Sequence, residues 1–306
     1  MNENNKFVRF DWAAKRMLRD KANFGVFEGL LTVLLGEKIT IDQILESESN
    51  QNSRDDKFNR VDIKALNSKG EIIIVEIQLT RQLYYLERIL FGVSKAITEH
   101  ITLGNKYDNV KKVYSISILY FDLGKGSDFL YHGKTSFIGV HTHDKLQVNS
   151  KEKEAIKMRT PEEVFPEYFI IRVNEFNKVA TTPLEEWIAY LKDGCIKENT
   201  QTPGLAEARQ KLQYLKMSKK ERQDYDRHID AIMTQNDVLD TAKMEGRAEG
   251  RAEGLVEGRA EGRTEGLAEG RAEGMLETAR KFKLAGASLE LIVQATGLSV
   301  EEIERL

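Results

Sequence analysis

With a single cysteine among 306 residues, Cys195, the chain can form no intrachain disulfide, and a cysteine-rich zinc site is excluded. Long apolar runs are missing as well. No stretch approaches the roughly 18 uncharged apolar residues that a membrane-spanning helix needs. The opening MNENNKFVRFDW lacks the basic-then-apolar pattern of a secretory signal. A reduced cytoplasm is therefore the expected compartment, with no membrane partner. Charge of one sign is also scarce. Lys and Arg number 46 against 49 Asp and Glu, leaving a net charge of -3, too little to coat nucleic acid through bulk charge. Any nucleic-acid contact must come from a local basic patch. No Walker A motif or dinucleotide fingerprint is present, and nothing marks a serine or cysteine nucleophile.

What is present is an α/β pattern followed by helical segments. Apolar residues make up 41%, enough for a buried core. Trp12, Ala13, Met17 and Leu18, then Phe24, Phe27, Leu30, Leu31 and Leu34, recur at helical spacing and predict a helix over residues 7–35. A short extended piece at Lys38–Ile41 follows, then a polar loop, NSRDDKFN, at 52–59. Arg60–Leu66 and Glu71–Leu79 read as strands joined by Asn67-Ser68-Lys69-Gly70, a hairpin-turn composition. Thr80–Leu103 is helical, and Val113–Phe121 is apolar enough for a central strand. Strand-like stretches recur at Phe129–His132, Thr135–Val140 and Tyr168–Val173. The expected organisation is an α/β domain over 1–178, a helical region over 179–240, a Glu-Gly repeat over 241–276 and a small helical tail over 277–306.

In the repeat, Glu-Gly recurs eight times, from Glu245-Gly246 to Glu273-Gly274. A four-residue period places the glycines in a slowly winding stripe along a helix. Glycine costs about 1 kcal/mol per interior helix position relative to alanine. Two readings stay open: a helix that self-associates or acts as a spacer, giving a homo-oligomer, and a loosely helical linker. In the tail, Gly297 suits a helix C-terminal position, and Ser299 with Glu302 suits a capping box. The arrangement is like a helix-turn-helix, but VEEIERL carries three glutamates and one arginine, unfavourable against phosphates. A helical docking element fits that balance better.

Chemistry concentrates in RVDIKALNSKGEIIIVEIQ, residues 60–78. Strand alternation puts Arg60, Asp62 and Lys64 on one face of the first strand, and Glu76 and Gln78 together on the second. If the hairpin folds about Lys69, Asp62 lies opposite Glu76, with Cβ atoms about 4.5–5.5 Å apart. Two carboxylates so placed repel unless something positive sits between them. A hard divalent cation, Mg²⁺ or Mn²⁺, has the right preference for carboxylate oxygens. The bland alternative is a wet sheet face with both acids paired to Arg60 or Lys64. After the motif, Arg81, Arg88 and Lys95 lie seven apart with Tyr84 and Tyr85 alongside. This is a basic stripe suited to a phosphodiester substrate, or an ordinary solvated face, since Glu87 and Glu99 intervene. His141-x-His143-Asp144 has no further ligand at a motif spacing.

This segment resembles PD-(D/E)XK nucleases, which carry an aspartate on one hairpin strand and (D/E)-x-K on the next. The Rpn-type branch of recombination-promoting nucleases and transposases commonly has Gln in place of that Lys, as in Glu76-Ile77-Gln78. RFDWAAKRML with NFGVFEGLL resembles the branch's opening helix, RQLYYLERILFGVSKAI its Arg/Tyr-bearing helix, VKKVYSISILYF the following strand, and the repeat with TGLS its tails. The resemblance covers most of the chain. It implies a restriction-endonuclease-like mixed sheet flanked by helices, and a metal-dependent DNA endonuclease linked to recombination or transposition. It also implies Asp62 and Glu76 as metal ligands, the Ile77 carbonyl as a third, and Gln78 in the lysine's place. Related nucleases add an acidic residue from the first helix, for which Asp11, then Glu28, is the candidate. A neutral amide cannot supply the lysine's charge, so Lys64 is the expected substitute. The alternative is a catalytically inactive binding or assembly protein on the same scaffold.

Overall fold

The computed structural model describes residues 7–16, 21–45, 62–101, 107, 110–152 and 155–306. Arg60, Val61, Met17, Leu18 and the NSRDDKFN segment lie outside the described residues, as do Thr102 and Leu103 at the end of the expected second helix.

The sequence IIIVEIQ builds β3, Ile72–Gln78, the strand on which the architecture turns. A β-branched run buried on both faces favours a central strand over a helix. β2, Ile63–Asn67, pairs with it antiparallel, Ile63 opposite Val75 and Leu66 opposite Ile72. Gly70, at φ 77, closes the turn in the left-handed region that glycine tolerates. That register centres the hairpin on Lys69, as the alternation predicts. β1, Ile41–Leu45, adds antiparallel on the outer side of β2. Beyond β3, β4 (Val113–Leu119) and β8 (Glu167–Arg172) run parallel, and β5 (Leu130–Gly133) closes the edge antiparallel to β8. The sheet is thus mixed and six-stranded, in the order β1-β2-β3-β4-β8-β5. β6 (Val148–Glu152) and β7 (Ala155–Arg159) form a separate two-stranded sheet. No expectation covered that pair, because VNSKE and AIKMR lack a run of alternating apolar residues.

Helices seal both faces. One face, with Ile63, Ala65, Ile73, Val75, Ile77, Ile116 and Ile118, packs in a single core with α1 (Phe10–Arg16), α2 (Phe24–Leu35), α4 (Pro183–Asp193) and α5 (Leu205–Lys211). The helix expected over 7–35 is two helices, since a tight turn at Lys21–Asn23 precedes α2. Gly29 lets α2 approach α5: a methyl group there would lie 2.3 Å from the Gly204 Cα. The other face, with Leu66, Ile72, Ile74, Val113 and Leu119, packs against Tyr85, Ile89, Val93 and Ala96 of α3 (Tyr85–Glu99). Helix α3 starts five residues later than expected, after a turn at Leu83–Tyr84.

The chain divides into two compact units, one through Asp230 and one from Ala231. Trp187, Tyr190 and Leu191 of α4 are buried with the sheet, so the first unit runs well past β8. Residues late in that unit hold its beginning. Val8 N–H donates to the Leu212 carbonyl at 2.8 Å, Phe7 bridges Gln213, and the Tyr190 hydroxyl donates to the Val8 carbonyl at 2.7 Å. Helix α6, Lys219–Leu284, contributes Tyr225 and His228 to this unit. In the second unit, α7 (Leu289–Thr296) and α8 (Val300–Glu304) gather with Ala279 around Ile292 and Ile303. Gly297 caps α7 at φ 73, and Ser299 with Glu302 forms the capping box that starts α8.

Candidate active site

Parallel strands β3 and β4 end side by side, and a crevice at the carboxyl ends of parallel strands is where α/β sheets bind ligands. The β2–β3 register carries Asp62, one residue before Ile63, opposite Glu76. The Asp62 Oδ2 accepts the Ile77 backbone N–H at 2.6 Å, which fixes the aspartate at this end of β3. A strand residue's N–H and C=O point to the same neighbour, so the Ile77 carbonyl faces the Asp62 edge. The Gln78 carbonyl faces the other edge and accepts from Tyr120 N at 2.9 Å.

Glu76 is 4% exposed, the one ionisable side chain of β3, and it lies under α3. Its Oε2 is buried with no hydrogen-bond partner among the described residues, 3.5 Å from Arg88 Nε. Burial pushes its carboxyl up to about 7, Asp62 adds to the rise, and Arg88 and the Gln78 amide oppose it. Tyr85, buried overhead, is itself raised by burial and by the Glu76 charge. Arg88 donates through Nη1 to Gln82 Oε1 at 2.8 Å, and Gln82 Nε2 reaches Gln78 Oε1 at 3.3 Å. Glu76, Arg88, Gln82 and Gln78 therefore close a ring between strand and helix.

A prediction follows from the raised carboxyl. The ordinary value is 4.5, so between about 4.5 and 7 the folded chain holds a proton that the unfolded chain releases. Metal-free stability contributed by Glu76 then falls as pH rises through that window. Urea titrations at pH 5 and pH 8 should show wild type losing about 2–3 kcal/mol more than Glu76→Gln. Equal losses in the two proteins would reject the raised value.

The other sequence candidates fall elsewhere. Lys64 is nearly buried and pairs with Glu99 at 2.5 Å, two residues along β2 from Asp62, so its charge is committed to the end of α3. Asp11 is buried on the opposite face of the sheet, where its two oxygens take Arg9 Nε at 3.0 Å and His228 Nε2 at 2.8 Å. Burial works to raise its pKa, but His228 and Arg9 hold it below the usual carboxylate range. Glu28 accepts the Ile41 N–H at 2.7 Å, at the end of β2 remote from Asp62. Arg81 is exposed in the lead-in to α3, Lys95 is half-buried on the helix, and Arg88 between them turns inward to Glu76. The three are therefore not one outward stripe. Among the described residues, no three His, Cys, Asp or Glu side chains gather into a metal-binding group. Among the described residues, Asp62 and Glu76 are the carboxylates brought together here, with the Ile77 carbonyl as their neutral neighbour. Sequence reasoning left Gln82 out of the site, named Tyr85 only as a neighbour of the basic stripe, and did not foresee that Arg88 turns inward to Glu76. The signal was available: Tyr85, Ile89, Val93 and Ala96 mark the buried stripe of α3, and Arg88 adjoins it. His143, at φ 56, serves a turn beside Asp144, whose side chain accepts from the Thr142 hydroxyl.

Among the described residues no helix is long and apolar enough to cross a membrane. A family model described as PD-(D/E)XK nuclease family transposase matches residues 8–242. No curated protein and no solved structure matches the chain.

Proposed function

The chain belongs to the PD-(D/E)XK nuclease family transposases, and from that premise we propose that it is a divalent-metal-dependent DNA endonuclease, acting in the cytoplasm in recombination or transposition. One observation carries the reading: a buried, hydrogen-bond-deficient carboxylate oxygen on Glu76 with a second carboxylate, Asp62, opposite it. A buried carboxylate oxygen left without a hydrogen bond among the described residues is costly, and a cation shared with Asp62 relieves both the desolvation and the repulsion. The donor set of two carboxylates and the Ile77 carbonyl is all oxygen, which suits Mg²⁺ or Mn²⁺.

When bound, such an ion supplies Lewis-acid activation of water and neutralises charge on the phosphate. Asp62 and Glu76 would hold it. The Ile77 N–H keeps Asp62 oriented, and Gln78, which accepts from Gln82, stands beside Glu76 as a neutral hydrogen-bonding partner. In hydrolysis, the water gives up a proton as its oxygen forms the new bond to phosphorus, the bond to the leaving sugar oxygen breaks, and that oxygen takes up a proton from solvent. Arg81, exposed before α3, and Lys95, half-buried on it, would be the contacts for the DNA backbone. Plasmid incubated with the protein tests the reading: nicking with Mg²⁺ or Mn²⁺, abolished by chelator, supports it, and intact plasmid in both metals overturns it.

Arg88 beside Glu76 favours a second reading, an inactive scaffold that binds or assembles, because an arginine at that place already answers the carboxylate's charge. Metal titration separates the two, since an ion that binds the native state raises Tm by mass action.

The repeat helix supports a homo-oligomer. Apart from each glycine's chain neighbours and the helix's own nearby backbone, no heavy atom of the described residues lies within 4 Å of where a Cβ would sit on any of its eight glycines. At about 1 kcal/mol each, with like charges four apart adding to the cost, an unpartnered helix is disfavoured. A second copy packed along the glycines offsets that cost. Truncation after Asp240 should lower the oligomer number measured by light scattering; an unchanged number rejects self-association through the repeat.

A further inference from the structure

Gln78 leaves the second strand of the hairpin without a cation at its third motif position, and Lys64 is held away by Glu99. Among the described residues, the cation that stands against Glu76 comes from α3. Arg88 stands 3.5 Å from Glu76 and is joined through Gln82 to Gln78 itself. We propose that Arg88 is a displaceable counter-ion of the site: it answers the Glu76 charge while no metal is present and gives that place up to the ion. Its released guanidinium then pairs with a non-bridging phosphate oxygen at the spot where Gln78 offers no charge. The inference rests on the metal-dependent reading of the preceding subsection.

Three features of the structure fit this role. Arg88 is 29% exposed at its side chain, so it reaches solvent from one side and carboxylate from the other. Its contact with Glu76 is an ion pair at 3.5 Å without a hydrogen bond to Oε2, a looser grip than the 2.8 Å bond to Gln82. Gln82 lies just ahead of the turn that leads into α3, so the guanidinium has an anchor on the Gln78 side when it leaves Glu76. A guanidinium presents parallel donors that match two phosphate oxygens, a geometry that a neutral amide cannot supply.

A counter-ion competes with the metal for the same carboxylate, so its removal should tighten metal binding while slowing cleavage. A merely structural arginine would weaken both. The experiment compares Mn²⁺ isotherms by calorimetry for wild type, Arg88→Gln and Arg88→Lys across pH 6.5 to 8.5, with plasmid nicking rates on the same samples. Melting curves verify that each variant folds. In Arg88→Gln, the limiting Mn²⁺ affinity at the alkaline end should rise at least about tenfold. Its maximal nicking rate should fall at least about tenfold, with Arg88→Lys between the two proteins in both readouts. Binding no tighter than wild type overturns the proposal, and so does tighter binding with an unchanged rate. If no protein binds Mn²⁺, the metal-dependent reading itself is wrong and this one falls with it. Wild-type binding without the Arg88→Gln effect sinks this one alone.

Discussion

Glu76→Ala should abolish metal-dependent plasmid nicking and, with it, the rise in Tm that Mn²⁺ gives the wild type. The expected loss exceeds about 10²-fold, the upper end for residues that merely support a metal ligand, because Glu76 would be a ligand itself. Stability should change little in the opposite sense to most core truncations. The substitution removes a buried carboxylate whose Oε2 has no hydrogen bond among the described residues, while Arg88 keeps its bond to Gln82 and its access to solvent. Asp62→Ala should show the same loss of nicking. It also deprives the Ile77 N–H of its acceptor, so a modest fall in stability accompanies it, about 1 kcal/mol. Nicking and a metal-induced Tm rise that persist in both variants would rule out this carboxylate pair as the metal centre.

Asp11→Ala should behave in the reverse way, with a large loss of stability and an intact response to metal. Asp11 is 1% exposed and binds Arg9 and His228, so removing it leaves two cationic or polar groups facing an apolar pocket. Breaking a fully buried pair costs roughly 3–5 kcal/mol. Arg9 and His228 are each about a quarter exposed, so about 2–3 kcal/mol is expected here. Urea unfolding at neutral pH measures it. The folded-state pKa of Asp11 is depressed, so its contribution is full above the unfolded value and lost as pH falls through the folded one. The gap between wild type and variant should accordingly narrow in acid. A variant as stable as wild type that has lost its Mn²⁺-induced Tm rise would return Asp11 to the metal site.

The contrast between these two aspartates shows what the sequence makes legible. Asp62 could be placed because hairpin register is a local matter: a four-residue turn and period-two alternation set every pair from Leu66–Ile72 outward. Asp11 could not. Which face of the sheet a flanking helix covers depends on packing partners such as Tyr120 and Tyr225, more than a hundred residues away. Lys64 escaped for the same reason, since its partner Glu99 lies across the α3 crossover. Arg88 was found but misdirected, because a seven-residue spacing says which side chains share a stripe and not where that stripe faces. The fold class was readable from the strand-rich run at β3 and the helix after it. The helices α4 and α5 looked like an appendage, having no pattern that ties them to a sheet, yet Trp187 and Leu205 complete its core.

The way the chain's early residues are fastened bears on how the protein is made. Arg9 waits for the hydroxyl of Tyr225, and Asp11 for an imidazole 217 positions downstream. At about 5–20 residues per second of synthesis, the ribosome needs some 10–40 s to deliver those partners. Until they emerge, Arg9 and Asp11 lack these two partners, and a message cut short upstream of them yields a polypeptide without this latch. The fastening of the first helix is thereby completed only once translation has passed His228.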